Sequence, residues 1–341
     1  MRILIDGMGG DNAPSEIVRG AIRAASEIES TIILIGKENM LKEHMSDEGI
    51  NCDNIEIVNA SEVISNDESP AMAVRKKKDS SIAKGMRIVD CGEADCLISA
   101  GSTGALLAGG LFTLGRIKGV KRPAIAAFFP RINGDGSMLL LDCGANVESK
   151  PEYILQNGIM GSIFVNNIKG IDNPTVGLLN VGAEAEKGND LHKEAYRLLN
   201  GSNLNFVGNI EARDVIFGAC DVLATDGFSG NVFLKASEGT AGALTKVLKD
   251  KLMEGTASKL GAILAAGKLR DVKKEFDYSE EGGAPILGLT KPVLKIHGNS
   301  KAYDVYKAIL KAESYVALDV TGKIKKAVEE YVDAYTDSTV E

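Results

Sequence analysis

The stretch Leu97–Gly110, LISAGSTGALLAGG, joins a short apolar run to a glycine-bounded turn and the beginning of a helical pattern. Gly101 and Gly104 permit a tight turn with close backbone approach, and Ser102 or Thr103 can cap the helix that follows. Unpaired N–H groups and the positive end of the helix dipole meet at such a helix start, so the stretch predicts an anion-binding turn. The alternative is an ordinary strand-to-helix turn without a ligand, since two glycines at this spacing are a weak signal.

Apolar runs alternate with helix-length segments along the chain, which predicts an α/β fold with a mostly parallel central sheet and helices on both faces. The predicted strands are residues 2–5, 31–35, 55–58, 96–99, 124–129, 138–141, 175–180, 205–207, 222–224 and 293–296. The predicted helices include residues 15–28, 40–48, 70–90, 105–114, 151–168 and 191–199, and residues 281–289 read as a loop. No linker or repeat divides the chain, so residues 1–341 are predicted to form a single large unit.

Most predicted strands end in a glycine-rich polar segment, and ligands of such folds bind beyond the carboxyl ends of the strands. These segments are residues 6–14, 142–146, 180–188, 208–213 and 225–231. They are expected to gather Asp, Asn, Ser, Thr and Lys side chains at one edge of the sheet. The sequence therefore predicts a site there for a polar or anionic ligand.

Composition excludes several classes of protein. The 39 basic and 47 acidic side chains give a net charge of −8, which argues against general nucleic-acid binding. The five cysteines form no Cys-x-x-Cys pair, so neither a disulfide framework nor a zinc site is indicated. The sequence predicts no metal and no cofactor. No apolar signal region opens the chain, and no stretch approaches the roughly 20 apolar residues of a membrane span, so a cytoplasmic location is expected.

Residues 232–254 and 259–276 read as two long helices, which predicts a helical protrusion at about residues 240–280. Leu260, Ile263 and Leu264 fall on one helical face. Residues 251–274 hold six basic and two acidic side chains, a local net charge of +4. Such a face binds an anionic membrane surface, or alternatively packs on its own domain or on a second subunit.

Eight motifs follow one another in a set order: DGMGGDNAP (6–14), SAGSTGA (99–105), DCGAN (142–146), NVGAEAEKG (180–188), GNIE (208–211), DGFSGNVFLKASEG (226–239), GGAPILGL (282–289) and HGNS (297–300). Together they resemble the PlsX family of phosphate acyltransferases of bacterial phospholipid synthesis, from residue 3 to about residue 320. Ser102 departs from the pattern, because the family usually has Asn at that position. An amide role there would pass to a hydroxyl or to backbone N–H groups.

The resemblance implies transfer of a long-chain acyl group from an acyl carrier protein thioester to inorganic phosphate, giving acyl phosphate. It also implies a fold similar to phosphate acetyltransferases and to isocitrate and isopropylmalate dehydrogenases. A homodimer and peripheral association with the inner face of the membrane are further implications. The alternatives are a phosphate acetyl- or butyryltransferase that uses coenzyme A thioesters, and a non-catalytic anion- or lipid-binding regulator.

Phosphate is already an oxygen nucleophile and a thiolate leaves readily, so the reaction requires mainly positioning and stabilisation of the developing oxyanion. We hypothesise that Ser102, Thr103 and the N–H groups around Gly104 bind phosphate. Lys187 is hypothesised to act as their charge partner from the end of a neighbouring strand. The alternative for Ser102 is the capping role already described.

Asn180 and Asn231 are candidate donors to the carbonyl oxygen, and His297 or Lys235 is a candidate proton donor to the departing sulfur. Lys235 lies one helical turn past Asn231, so both can face one cleft. Asparagines at strand ends also satisfy loop backbone, and His297 can cap a turn. Supporting roles are assigned to Asp11, Asp226 and Asn146, and for Asp6 loop capping is favoured over contact with an anion.

Acyl carrier protein is strongly acidic, so an enzyme of net charge −8 needs a basic surface to receive it. Residues 75–78, 118–122 and 251–274 are the candidates. For residues 75–78 the alternative is a solvated helix face. With the resemblance in view, the helix around Leu260 is favoured as a membrane contact or as a tip of the dimer.

Overall fold

The computed structural model describes residues 1–49, 52–132, 136–275 and 282–337. In this part of the chain, eleven strands form one sheet in the order β3-β2-β1-β4-β11-β10-β5-β6-β9-β7-β8. The strands are β1 (Arg2–Asp6), β2 (Thr31–Gly36), β3 (Ile55–Asn59), β4 (Cys96–Ser99), β5 (Ala124–Pro130), β6 (Ser137–Leu141), β7 (Thr175–Asn180), β8 (Asn205–Glu211), β9 (Val222–Ala224), β10 (Ala284–Leu287) and β11 (Val293–Lys295). Most neighbouring strands are parallel, as predicted.

The helices are α1 (Ser15–Ala25), α2 (Glu38–Asp47), α3 (Pro70–Lys76), α4 (Ser81–Asp90), α5 (Thr103–Gly109), α6 (Pro151–Lys169), α7 (Asp190–Asn200), α8 (Ala212–Val215), α9 (Gly227–Leu252), α10 (Thr256–Glu275), α11 (Ala302–Ala317) and α12 (Val320–Asp337). A π-helical segment, Gly110–Leu114, continues α5. The single helix predicted over residues 70–90 is wrong. Lys77 leaves the helical region with ψ at 71°, and Ser80 begins α4 by accepting a hydrogen bond from the N–H of Ala83.

Alternate residues of each buried strand point to opposite faces of the sheet, which produces two apolar cores. Ile3 and Ile5 of β1 face the core under α1, α6, α7, α11 and α12, whereas Leu4 faces the core under α3, α4 and α5. Phe233 and Leu234 of α9 pack on that second core. The helices therefore cover both faces, and α5 and α9 lie on the same one.

The expectation that all strand ends share one edge is wrong. β10 runs antiparallel to both β11 and β5, and β5 runs antiparallel to β6. The parallel group β3-β2-β1-β4-β11 therefore points one way, and the parallel group β6-β9-β7-β8 points the other way. Residues 284–287, predicted as loop, form the strand that produces this reversal.

The register nevertheless brings the carboxyl ends of the two groups to one level of the sheet. The pairs that establish this are Lys295 with Ala284, Ile286 with Ile125, and Ala126 with Leu141. Following these pairs across β10 and β5 places Lys295, the last residue of β11, level with Leu140. Leu141, the last residue of β6, is one residue away from that level. We call this level the waist. Because α5 follows β4 and α9 follows β9, both helices begin at the waist on the same face of the sheet.

Beyond Leu234, α9 leaves the sheet. No described side chain from residue 235 to residue 272 is buried, so the second half of α9 and the whole of α10 project from the protein. The position agrees with the expected helical protrusion, although residues 276–281 lie outside the described part. None of the helices in the described residues has the length and hydropathy needed to cross a bilayer.

Candidate active site

Three loops meet beyond the carboxyl ends of β1, β4 and β11. The N–H of Asp11 donates to the carbonyl oxygen of Gly298 at 2.7 Å, which joins the first loop to the third. A Cβ atom on Gly9 would lie 2.6 Å from the backbone nitrogen of Gly101, so the first loop touches the second at a distance that only glycine allows. The anion-binding turn predicted at residues 101–104 is thus enclosed by two glycine-rich neighbours.

Asp6 connects the first two of these loops through hydrogen bonds. Its carboxylate is buried and accepts hydrogen bonds from the Ser99 hydroxyl at 2.7 Å and from the N–H of Met8 at 3.0 Å. Ser99 in turn accepts from the N–H of Gly101 at 2.9 Å. The loop-capping role favoured for Asp6 agrees with these contacts.

Lys295, the last residue of β11, places a cation beside this turn, and the sequence reasoning missed it. Its ammonium group donates to the carbonyl oxygens of Ala100, at 3.1 Å, and of Ile296. The pKa of Lys295 is lowered to about 8, mainly by burial and also by the charge of Lys235, while Asp6 and Asp11 oppose the change. Asp6, Asp11 and Lys235 are thus the charged groups that act on Lys295. A signal was present in the sequence, since Lys295 lies in a predicted strand, residues 293–296, just before the HGNS motif.

The predicted phosphate ligands lie at the start of α5. Ser102 is its N-cap, and the hydroxyl accepts a hydrogen bond from the N–H of Ala105 at 3.4 Å. Thr103 and Gly104 are partly exposed at the same turn, and a Cβ atom on Gly104 would lie 2.6 Å from Cγ of Pro70. The capping role of Ser102 is therefore present, while phosphate binding by these residues stays a prediction.

A second group of polar side chains surrounds the start of α9, and we call Asn146, Asn180, His192, Asp226 and Asn231 the asparagine cluster. Buried Asn180 uses its two amide N–H atoms inside the protein. One donates to the carbonyl oxygen of Lys187 at 3.1 Å and the other to Oδ1 of Asn209 at 3.0 Å. These bonds hold the loop after β7, and donation by Asn180 to a substrate carbonyl stays a prediction.

Asp142 anchors the other side of this cluster. Its buried carboxylate accepts backbone N–H groups from Ile125, Gly144, Ala145 and Asn146, and also the Asn146 side-chain amide. Asn146 further donates to the carbonyl oxygen of Pro123, and its supporting role in the site stays a prediction. Asn231 donates one amide N–H to the carbonyl oxygen of Cys143 at 3.1 Å. The first turn of α9 is thereby fixed against the end of β6.

Asp226 is the N-cap of α9 and lies against His192, which the sequence reasoning also missed. Asp226 Oδ1 accepts from the N–H groups of Phe228 and Ser229, at 3.0 and 2.9 Å. Its buried Oδ2 has no hydrogen-bond partner among the described residues and lies 3.5 Å from Nε2 of His192. The other ring nitrogen of His192 lies 2.7 Å from Oδ1 of Asn189. No local pattern links residues 192 and 226, so only the fold brings this pair together.

Asp226→Ala is expected to destabilise the protein by about 1–2 kcal/mol, because it removes the cap of α9. Burial raises the pKa of Asp226, but the His192 ring and the Ser229 N–H outweigh it and lower the pKa from 3.8 to about 2. The stabilisation is therefore present above pH 4 and is lost as pH falls through about 2. Urea unfolding at several pH values measures both effects. Asp226→Asn is the control, since its side-chain oxygen still caps the helix; equal loss in both variants would contradict the capping role.

The remaining candidates are Lys187, Lys235 and His297. The prediction that Lys187 follows a strand next to β4 is wrong, because five strands separate β4 from β7. Lys235 pairs with Glu238 at 2.7 Å, and its charge reaches both Lys295 and buried Cys143. It therefore faces the same side of α9 as Asn231, which donates to the carbonyl of Cys143. His297 is exposed, and its ring nitrogen accepts from the N–H of Asn299 at 3.5 Å.

Among the residues that the structure describes, no three His, Cys, Asp or Glu side chains group as a metal site would require. The waist instead offers ammonium groups, hydroxyls, amides and two helix N-termini. Donors of this kind bind a phosphate and stabilise an oxyanion.

Comparison with solved structures supports the fold. The EutD phosphotransacetylase from Staphylococcus aureus aligns with a TM-score of 0.60 at 17% identity, covering 93% of this chain and 94% of that one. A phosphotransacetylase from Streptococcus pyogenes aligns with a TM-score of 0.60 at 21% identity, covering 96% of this chain and 94% of that one. At these identities the likeness concerns the architecture alone.

Sequence comparison is more specific. Residues 1–323 match the family model described as "Fatty acid synthesis protein". The phosphate acyltransferase of Oceanobacillus iheyensis is 48% identical over 329 residues, covering 96% of this chain and 98% of that protein. The phosphate acyltransferase of Thermoanaerobacterium thermosaccharolyticum is 45% identical over 329 residues, covering 96% of this chain and 97% of that protein. Relatives this similar over nearly their whole length establish that the chain belongs to the PlsX family of fatty acid synthesis proteins.

Proposed function

We propose that this protein transfers a long-chain acyl group from an acyl carrier protein thioester to inorganic phosphate, and that the acyl phosphate serves phospholipid synthesis. The family match is the observation that carries the transfer of an acyl group to phosphate. The carrier protein as thioester donor is the finer part of the proposal. Residues 1–341 are proposed to act as one α/β unit, as a homodimer in the cytoplasm.

In the proposed reaction a phosphate oxygen attacks the thioester carbon, and a tetrahedral intermediate forms. Its collapse breaks the carbon–sulfur bond and leaves acyl phosphate, while the proton of the incoming phosphate ultimately resides on the released thiol. The ammonium groups of Lys295 and Lys235 attract the phosphate, and Ser102, Thr103 and the N–H of Gly104 orient it. Because its pKa is about 8, the Lys295 side chain keeps most of its positive charge at neutral pH.

The oxyanion and the leaving sulfur need separate donors. Asn231 has a second amide N–H besides the one bound to Cys143, and we assign it to the oxyanion, with Asn180 holding the adjacent loop. Lys235 lies one turn further along α9 and is the proposed proton donor to sulfur. His297 is the second candidate for that step, and its exposure at the end of β11 leaves it accessible to a thioester arm.

One assay tests the function. Purified protein is incubated with an acyl carrier protein thioester and phosphate, and free thiol and acyl phosphate are measured together. Phosphate-dependent release of both products in equal amounts is expected. Preference for coenzyme A thioesters of short acyl groups would favour a phosphate acetyl- or butyryltransferase. Binding of phosphate without any thiol release would favour a non-catalytic regulator.

Lys187→Ala is expected to lower kcat/KM for phosphate about tenfold through loss of a charge at the edge of the asparagine cluster. Lys187 is exposed, and no carboxylate among the described residues lies within 4 Å of its ammonium group. Steady-state rates over a range of phosphate concentrations measure the change. Unchanged turnover with an unaltered phosphate requirement would remove Lys187 from the site.

The projecting helix α10 supports peripheral membrane association. Leu260, Ile263 and Leu264 are 62%, 71% and 83% exposed, and together they form an apolar face without a partner in the described chain. A face of this kind between basic side chains inserts into the boundary of an anionic bilayer. The same face can instead contact a second subunit at a tip of the dimer.

Ile263→Glu and Leu260→Glu are each expected to abolish flotation with liposomes that contain anionic lipid, because a charge would enter the apolar boundary. Ser258→Glu on the opposite face of α10 is the matched control and should float like the unaltered protein. Flotation of the Leu260 or Ile263 variants would contradict membrane binding. A change of oligomeric state without a change in flotation would identify the face as a dimer tip.

A further inference from the structure

We infer that the acidic carrier protein docks on a basic surface beside α5, formed by Arg75, Lys76, Arg116 and Lys118 around the ring of Phe112. This inference rests on the proposed function and specifies where its protein substrate binds. We call these five residues the docking surface.

The residues of the docking surface come from two segments that meet where Arg75 contacts Phe112. The guanidinium group of Arg75, near the end of α3, lies 4.5 Å from the centre of the Phe112 ring. Phe112 belongs to the π-helical extension of α5, and Arg116 follows it by four residues. The Arg116 guanidinium donates to the carbonyl oxygen of Lys121, so the loop that carries Lys118 folds back beside it. Phe112 remains 49% exposed beside Arg75.

Among the described residues, a smaller share of the basic side chains is paired in this surface than in residues 251–274. Within the described residues, none of Arg75, Lys76, Arg116 and Lys118 forms an ion pair, and all four are exposed. In residues 251–274, by contrast, Lys251 pairs with Glu254 and Lys268 pairs with Asp271. Lys77, next to the surface, pairs with Glu68. The docking surface therefore presents uncompensated positive charge on a protein of net charge −8.

The partner that fits is an acidic protein surface. Exposed cations attract its carboxylates from a distance and set its orientation, and an exposed aromatic ring provides an apolar centre that excludes water. Phosphate alone would not need this surface, because Ser102 lies ten residues before Phe112 along α5. At 1.5 Å per residue that separation is about 15 Å. The surface lies at a distance suited to a carrier protein that delivers its thioester on a flexible arm.

The triple variant Arg75→Glu, Lys76→Glu and Lys118→Glu tests the inference with two substrates that bear the same acyl chain, the carrier protein thioester and a pantetheine thioester. We expect kcat/KM for the carrier substrate to fall at least about thirtyfold, mainly through KM. The rate with the pantetheine thioester should stay within about twofold of the unaltered protein. The triple variant Lys37→Glu, Lys193→Glu and Lys325→Glu makes the same charge change at exposed lysines elsewhere and should retain both rates.

A second measurement uses Phe112→Ala, which leaves the charges in place and should raise KM for the carrier substrate alone. An equal loss with both substrates, or no loss with the carrier substrate, would overturn the docking surface and leave the proposed function standing. If the unaltered protein used pantetheine thioesters and ignored carrier thioesters, the proposed carrier specificity would itself be wrong. The two failures are thus distinguishable.

Discussion

Lys295→Met is expected to lower kcat/KM for phosphate by about 10²-fold to 10³-fold, because it removes the half-buried ammonium group that donates to the carbonyl oxygen of Ala100, next to the predicted phosphate site. A charge-assisted hydrogen bond in a site with little water contributes about 2–4 kcal/mol to transition-state stabilisation. Methionine keeps the length of the side chain and its apolar stem. Steady-state kinetics with varied phosphate, together with a thermal melt to verify folding, measure the loss.

The same lysine predicts a dependence on pH. Burial lowers the pKa of Lys295 to about 8, so the ammonium form prevails below that value and is lost as pH rises through it. We expect kcat/KM for phosphate to fall progressively above pH 8 in the unaltered protein. In Lys295→Met this part of the profile should be absent, because the group that titrates is gone.

Lys291→Met supplies the control. Lys291 precedes β11 and Lys295 ends it, so the two lysines lie at opposite ends of one short strand. The control removes one positive charge just before the same strand and should change kcat/KM by less than about threefold. Equal losses in the two variants, or an unchanged pH profile in Lys295→Met, would contradict a direct role for Lys295 at the phosphate.

Much of the architecture is predictable because burial imposes a regular pattern on the sequence. The bounds of β4, β7 and β9 agree with their apolar runs, since strands covered on both faces need apolar residues throughout. The direction of the second half of the sheet was not predictable. It depends on β10, a four-residue strand after two glycines, and a segment of that kind becomes a strand only through its pairing with β5 and β11.

The candidate site was likewise predictable only in part from the sequence. The turn at Ser102 and the motifs around Asn231 were predicted from local spacing, since glycines and capping side chains act over a few residues. Lys295 and His192 were missed because their surroundings come from distant parts of the chain. Lys295 acquires its low pKa from burial beside Ala100, and His192 meets Asp226 only after β7 and β9 pair.

Gly230→Ala is expected to destabilise the protein by about 3 kcal/mol or more and to lower activity about a hundredfold. The first turn of α9 lies so close to the end of β6 that a Cβ atom on Gly230 would be 2.0 Å from the carbonyl oxygen of Asp142 and 2.7 Å from Cγ2 of Thr225. Neither group is a flexible side-chain end, so the helix itself must shift. That shift would displace Asn231 from the carbonyl of Cys143 and move Lys235 away from Lys295.

Gly239→Ala in the same helix separates this packing effect from the general cost of changing a glycine. In the part of the chain that the structure describes, no atom lies within 4 Å of a Cβ on Gly239, which is exposed in the projecting part of α9. Alanine there should stabilise the protein by about 0.5–1 kcal/mol, because glycine loses more conformational freedom in a helix. Urea unfolding and phosphate-dependent thiol release on both variants make the comparison. If Gly230→Ala unfolded at the same urea concentration as the unaltered protein, α9 would not approach β6 this closely, and the placement of Asn231 and Lys235 at the waist would have to be abandoned.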